Sequence, residues 1–197
     1  MNALELINIG ANLLKKKNIT SNILDSEILL SKTINKSRED LLINLDQKID
    51  EKNILKYRSY LERRSKNEPI AYILEEREFW SKKFQVTKNT LIPRPETELL
   101  VDKLVKIFMG KKLSILDIGT GSGCIVISLL NSLNRSNGVG VDVCKNAIIT
   151  AKKNGVKFNL QNRLKFFNKS FINIFNQKFD LPAGAEPSPV ARGCRCG

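Results

Sequence analysis

The chain contains no histidine in its 197 residues. Imidazole acid–base catalysis and histidine-ligated metal centres are therefore excluded from its chemistry. Cysteine is scarce, and the four present (Cys124, Cys144, Cys194 and Cys196) have neither zinc-ligand nor disulfide-scaffold spacing. No apolar run approaches the roughly 18 residues that a membrane-spanning helix needs. The Asn- and Lys-rich start lacks the layout of a secretory signal. No membrane partner is expected, no metal site is expected, and cytoplasmic residence is the expectation.

Acid is short as well. Against 33 basic residues there are 20 acidic ones, a formal net charge of +13 and an isoelectric point near 9.7. Such a balance favours a negatively charged partner, such as ribosomal RNA or tRNA. The alternative is a codon bias that enriches Lys, Asn and Ile together. Lys15-Lys16-Lys17 and Arg63-Arg64 read as helix ends and solvated faces. The 42% hydrophobic and 27% charged content is that of an ordinary globular chain, long enough for one domain or two small ones.

The most informative stretch that is present runs from Ser114 to Gly123, SILDIGTGSG. Ile115, Leu116 and Ile118 read as a buried strand, and Gly119, Gly121 and Gly123 as a tight turn. Cys124 to Leu130 then reads as an apolar helix whose first N–H groups face whatever lies over the turn. A dinucleotide fingerprint, Gly-x-Gly-x-x-Gly, fails because its third glycine position falls on Cys124. A P-loop fails because no lysine follows until Lys145. What remains is acid-x-Gly-x-Gly-x-Gly, the pattern of S-adenosylmethionine-dependent methyltransferases. Asp117 is placed to hold the ligand's ammonium, directly or through water, and Asp142, ending a second strand at Val139-Gly140-Val141, to accept both ribose hydroxyls. The cofactor-binding candidates are therefore Asp117, Gly119, Thr120, Gly121, Ser122, Gly123 and Asp142. The competing reading is that both aspartates only cap the turns that follow them.

Upstream, the first seventy-odd residues read as a helical bundle. Leu6 with Leu13 and Ile7 with Leu14 recur at heptad spacing, with Ala11 between. Ser37 to Asp40 has capping-box spacing before Leu41, Leu42 and Leu45, and Asp50 is placed to cap a helix bearing Ile54, Tyr57 and Leu61. Arg77–Trp80 and Phe84–Thr87 predict two strands joined through Ser81-Lys82-Lys83. Ile92-Pro93-Arg94-Pro95 is extended, and a helix runs from Pro95 to about Met109, with Gly110 as its stop. Trp80 is expected to anchor the hairpin. Beyond the glycine turn, a helix is expected over Lys145–Asn154 and a strand near Arg163–Asn168.

Three segments together carry a family resemblance: Glu68-Pro69-Ile70-Ala71-Tyr72, the block FWSKKFQVTKNTLIPRPETE over Phe79–Glu98, and Ile115–Gly123. The chain resembles the bacterial HemK/PrmC proteins, N(5)-glutamine methyltransferases of peptide chain release factors, from Met1 to about Asp180. The resemblance implies an α/β fold: an N-terminal helical bundle over 1–75, a β-hairpin linker over 76–92, and the first half of a Rossmann-like S-adenosylmethionine methyltransferase sheet over 93–180. It implies methyl transfer to the glutamine side-chain amide of a Gly-Gly-Gln motif, with release factors as partners, a bundle that grips them, and a monomer. Phe171 stands where the family has an aromatic beside the adenine, and Arg94, Glu96 and Glu98 fall near the substrate entrance.

Two departures follow. Lys169-Ser170 replaces the family's Ser-Asp before that aromatic. The catalytic Asn-Pro-Pro-Tyr, expected after Phe179-Asp180, is absent, and LPAGAEPSPVARGCRCG stands there instead. That motif accepts both N–H bonds of the amide and aims its nitrogen, so these 197 residues are expected to be inactive as they stand, with no catalytic residue assigned. Residues 181–197 are expected to be a foreign, disordered tail, leaving the first strand with an unpaired edge. The alternatives are an amino-group methyltransferase acting on nucleic acid, and a non-catalytic fragment binding release factor or RNA.

Overall fold

The computed structural model describes residues 1–170 and 181–183. The chain divides into two compact units, Met1–Leu74 and Glu75–Gly197.

The first unit is helical: α1 (Ala3–Lys15), α2 (Asn22–Thr33), α3 (Arg38–Ile43), α4 (Glu51–Ser65) and α5 (Ile70–Leu74). The starts of α1, α3 and α4 are capped by side chains. Asn2 and Glu5 form a reciprocal capping box on α1, which the sequence reading missed. Ser37 Oγ accepts from Asp40 N–H at 3.0 Å, and Asp50 Oδ1 accepts from Asn53 N–H at 2.7 Å. Three of its stops are marked by asparagines. Asn18, Asn35 and Asn67 sit at positive φ just past α1, α2 and α4, a backbone region that Asn tolerates better than most side chains. The core gathers Leu6, Ile7, Leu14, Leu29, Leu30, Leu41, Tyr57 and Leu61. Leu13 departs from its expected place and is 38% exposed. Seven residues fall about 20° short of two helical turns, which carries Leu13 off the stripe's edge. Arg64 is not solvated either: its Nε lies 2.7 Å from Asp25 Oδ2, with both side chains largely buried.

The second unit opens with an antiparallel hairpin, β1 (Glu76–Phe79) and β2 (Lys82–Gln85). The turn is shorter than expected. Trp80 and Ser81 alone make it, both at positive φ, because a two-residue turn with that twist matches the twist of the strands. Phe79 and Phe84 are buried in this unit's core, so the hairpin packs with the unit that follows it, and Trp80 lies partly buried against the same core.

Next come α6 (Glu96–Phe108), β3 (Ser114–Ile118), α7 (Cys124–Ser132), β4 (Asn137–Asp142), α8 (Lys145–Lys157), β5 (Leu164–Asn168) and β6 (Leu181–Ala183). The four strands β3 to β6 form one parallel sheet in the order β5-β4-β3-β6. Two strands step outward on one side of β3 and the next lies on its other side, which is the doubly wound, Rossmann-like arrangement. The expected unpaired edge of β3 is corrected here: Ile115, Leu116 and Asp117 pair with Leu181, Pro182 and Ala183. Parallel pairing is a backbone property, and a proline is tolerated in an outer strand. So Leu181–Ala183 belongs to the sheet and not to a disordered tail. Residues 184–197 lie outside the described residues.

Candidate functional site

Ligands of parallel sheets bind beyond the carboxyl ends of the strands, where the strand order reverses. In this chain that point is the carboxyl end of β3, and it carries Asp117 and the glycine turn. Gly119 N–H and Thr120 N–H both donate to Val141 O, at 2.9 and 3.0 Å, which folds the turn over the end of β4. Gly119, Gly121 and Gly123 all have positive φ. Their surroundings differ. An ideal Cβ on Gly119 would meet nothing within 4 Å, so open space lies over the turn. One on Gly123 would lie 3.0 Å from Phe166 Cζ and 3.1 Å from Ile127 Cδ1, so that glycine serves close packing of α7.

Asp117 is 1% exposed and its Oδ2 accepts from Thr120 Oγ1 at 2.7 Å. Burial pushes its carboxyl up to about 7. The Thr120 hydroxyl and the Val126 backbone pull it back, and the charge of Asp142 adds to the rise. A buried carboxyl of this kind favours a cationic ligand, which would restore its charged form. Asp142 has both oxygens engaged: Oδ2 accepts from Gly121 N–H at 3.0 Å and Oδ1 from Cys144 N–H at 2.8 Å. The capping role is thus present at Asp142, and each carboxylate oxygen retains acceptor capacity for a hydroxyl. Cys124 is not a nucleophile, because burial, followed by the nearby Asp117, pushes its thiol up to about 12.

The structure therefore brings Asp117, Thr120, Gly121 and Asp142 together through hydrogen bonds, with Gly119, Ser122 and Gly123 in the same turn. Ser122 is buried, and its carbonyl accepts from Asn154 Nδ2 at 2.8 Å. Asn154 was missed by the sequence reading; its only signal was a polar residue on the buried face of α8. Arg94 and Glu96 are exposed and Glu98 is half-buried at the start of α6. Among the described residues no hydrogen bond or ion pair joins these three to the turn. Phe171 lies outside the described residues. The cradle fits S-adenosylmethionine: open space over glycine backbone, a buried acid for an ammonium, and a half-buried acid for hydroxyls.

Two family models match the chain: the PrmC N-terminal domain over residues 5–74 and the methyltransferase small domain over residues 95–182. The chain thus joins a PrmC N-terminal domain to a methyltransferase small domain. Among its relatives, a release factor glutamine methyltransferase of Haemophilus influenzae is 39% identical over 88% of this chain and 64% of its own length. One of the same name from Buchnera aphidicola subsp. Schizaphis graminum is 39% identical over 83% of this chain and 59% of its own. A bifunctional methyltransferase of Rickettsia conorii is 37% identical over 93% of this chain and 40% of its own length. The chain spans about two-fifths to just under two-thirds of the length of these relatives.

Proposed function

We propose that this chain binds S-adenosylmethionine over its glycine turn and is the donor-binding and partner-gripping part of a methyltransferase for the glutamine amide of peptide chain release factors. The observation that carries the reading is the open glycine turn at the end of β3, flanked by buried Asp117 and by Asp142. S-adenosylmethionine would supply the methyl group as a sulfonium. Asp117 would hold its ammonium, Asp142 its ribose hydroxyls, and the glycine backbone would leave room for its methionine arm. The names of the relatives support release factor as the partner over a nucleic acid.

An amide nitrogen is a poor nucleophile because its lone pair is shared with the carbonyl. Activating it needs acceptors aimed at both N–H bonds, and such alignment supplies several kcal/mol of a displacement barrier. The Asn-Pro-Pro-Tyr expected to do this is not among the 197 residues. The reading therefore has these residues binding donor and release factor without turnover. The test is labelled S-adenosylmethionine mixed with the chain and purified release factor. The expected result is retained donor, a release-factor complex on gel filtration and no labelled protein. Label in the release factor contradicts the proposed inactivity, and label in added RNA or DNA contradicts the proposed substrate.

A further inference from the structure

The side chain of Asn154, on α8, is fully buried and uses both amide hydrogens. Its Oδ1 accepts from Gln85 N–H at 2.8 Å, and its Nδ2 donates to Gln85 O at 2.9 Å and to Ser122 O at 2.8 Å. The first two bonds imitate a strand pair: one asparagine amide takes both backbone groups of the last residue of β2. The third reaches into the turn between Gly121 and Gly123. One side chain therefore fastens the hairpin, α8 and the glycine turn at a single point, although Gln85 and Ser122 lie far apart in sequence. Among the described residues no loop or turn N–H donates to the Ser122 carbonyl, and the Gln85 N–H donates to no side chain other than Asn154.

We infer that Asn154 is a positioning residue for the donor site, a clasp through which the β1–β2 hairpin sets the shape of the glycine turn. The inference rests on the turn being the donor site and adds a control on it that lies outside that site. Neither a hydrophobe nor an acid can replace Asn154, because the position needs one acceptor and two donors at once. Alanine leaves three buried backbone groups without partners, and aspartate sets a carboxylate against two carbonyl oxygens.

The test uses the full chain and S-adenosylhomocysteine. In the unaltered protein, saturating ligand is expected to slow hydrogen exchange at the Gln85 amide, which lies across Asn154 from the turn. Asn154→Ala is expected to weaken calorimetric affinity about tenfold or more at a temperature where it remains folded. Leu160→Ala, which empties another buried site of the same unit, is expected to lower the melting temperature while leaving affinity within about twofold. Without ligand, Asn154→Ala is expected to speed exchange at both the Gln85 and Gly123 amides. Unchanged exchange at Gln85 on binding, or affinity of Asn154→Ala equal to that of Leu160→Ala, overturns the clasp. If Asn154→Ala does not fold, the exchange measurement on the unaltered chain decides. If the unaltered chain gives no binding heat, the donor site fails, and the clasp is judged on whether ligand-free exchange rises at both amides or at Gln85 alone.

Discussion

Lowering the pH should loosen donor binding through Asp117, and the size of the effect follows from its surroundings. The carboxyl is buried and titrates near 7, chiefly because burial penalises its charge. A ligand ammonium binds the ionised form. Apparent affinity should therefore fall with the ionised fraction, by about 25-fold between pH 7.5 and pH 5.5. Calorimetric titration of S-adenosylhomocysteine across that range, in two buffers of different ionisation heat, measures the affinity and the proton released on binding. The ligand-free chain gives the opposite slope. The folded-state pKa is raised above the ordinary carboxyl value of 3.8, so the folded chain holds the proton more tightly than the unfolded one. This contribution to stability is complete below about pH 4 and is lost as pH rises towards 7, at roughly 1.4 kcal/mol per unit. Asp117→Asn should bind weakly and without pH dependence, and should remove that slope from the melting curves. A flat affinity profile from pH 5.5 to 7.5 in the unaltered chain would refute the reasoning.

Three further outcomes follow from the packing. Gly119→Ala should cost only the strain of a positive φ, about 1–2 kcal/mol, yet abolish ligand binding, since its methyl enters the open space over the turn; thermal melts and calorimetry separate the two effects. Gly140→Ala puts a Cβ 2.5 Å from Phe166 Cε1 and should destabilise by about 1–3 kcal/mol in urea melts, with partial recovery when Phe166→Leu is added. Arg64→Ala strands the buried Asp25 carboxylate in the first unit and should cost about 3–5 kcal/mol by denaturant melt, whereas Lys66→Ala, which removes an exposed partner of Glu62, should leave the melt nearly unchanged.

Much of the second unit was legible because its signals are local. An apolar run ended by an acid and alternate glycines leaves few options, so β3, its turn and α7 fall where the pattern puts them. The placement of Asp117 and Asp142 near the carboxyl ends of β3 and β4 was legible for the same reason. Illegible features depend on partners distant in sequence. Nothing near Asn154 announces that Gln85 and Ser122 will converge on it. Nothing in Leu181-Pro182-Ala183, rich in neither branched residues nor alternation, announces pairing with β3, because backbone groups make that contact. The hairpin turn was misjudged because Trp80 and Ser81 adopt the positive φ values usually signalled by glycine or asparagine. The same preference explains a composition reading that stopped short. Part of the asparagine enrichment is structural, since Asn18, Asn35, Asn67 and Asn159 each end a helix.

The most direct test of a donor cradle at the glycine turn is an amide-resolved titration of the isotope-labelled chain with S-adenosylhomocysteine at pH 7.5. The account predicts saturable shifts, at one ligand per chain, that centre on Gly119, Gly121, Gly123 and Asp142 and extend to Gln85. Shifts that fail to saturate, or that centre elsewhere and leave those glycines still, would contradict it.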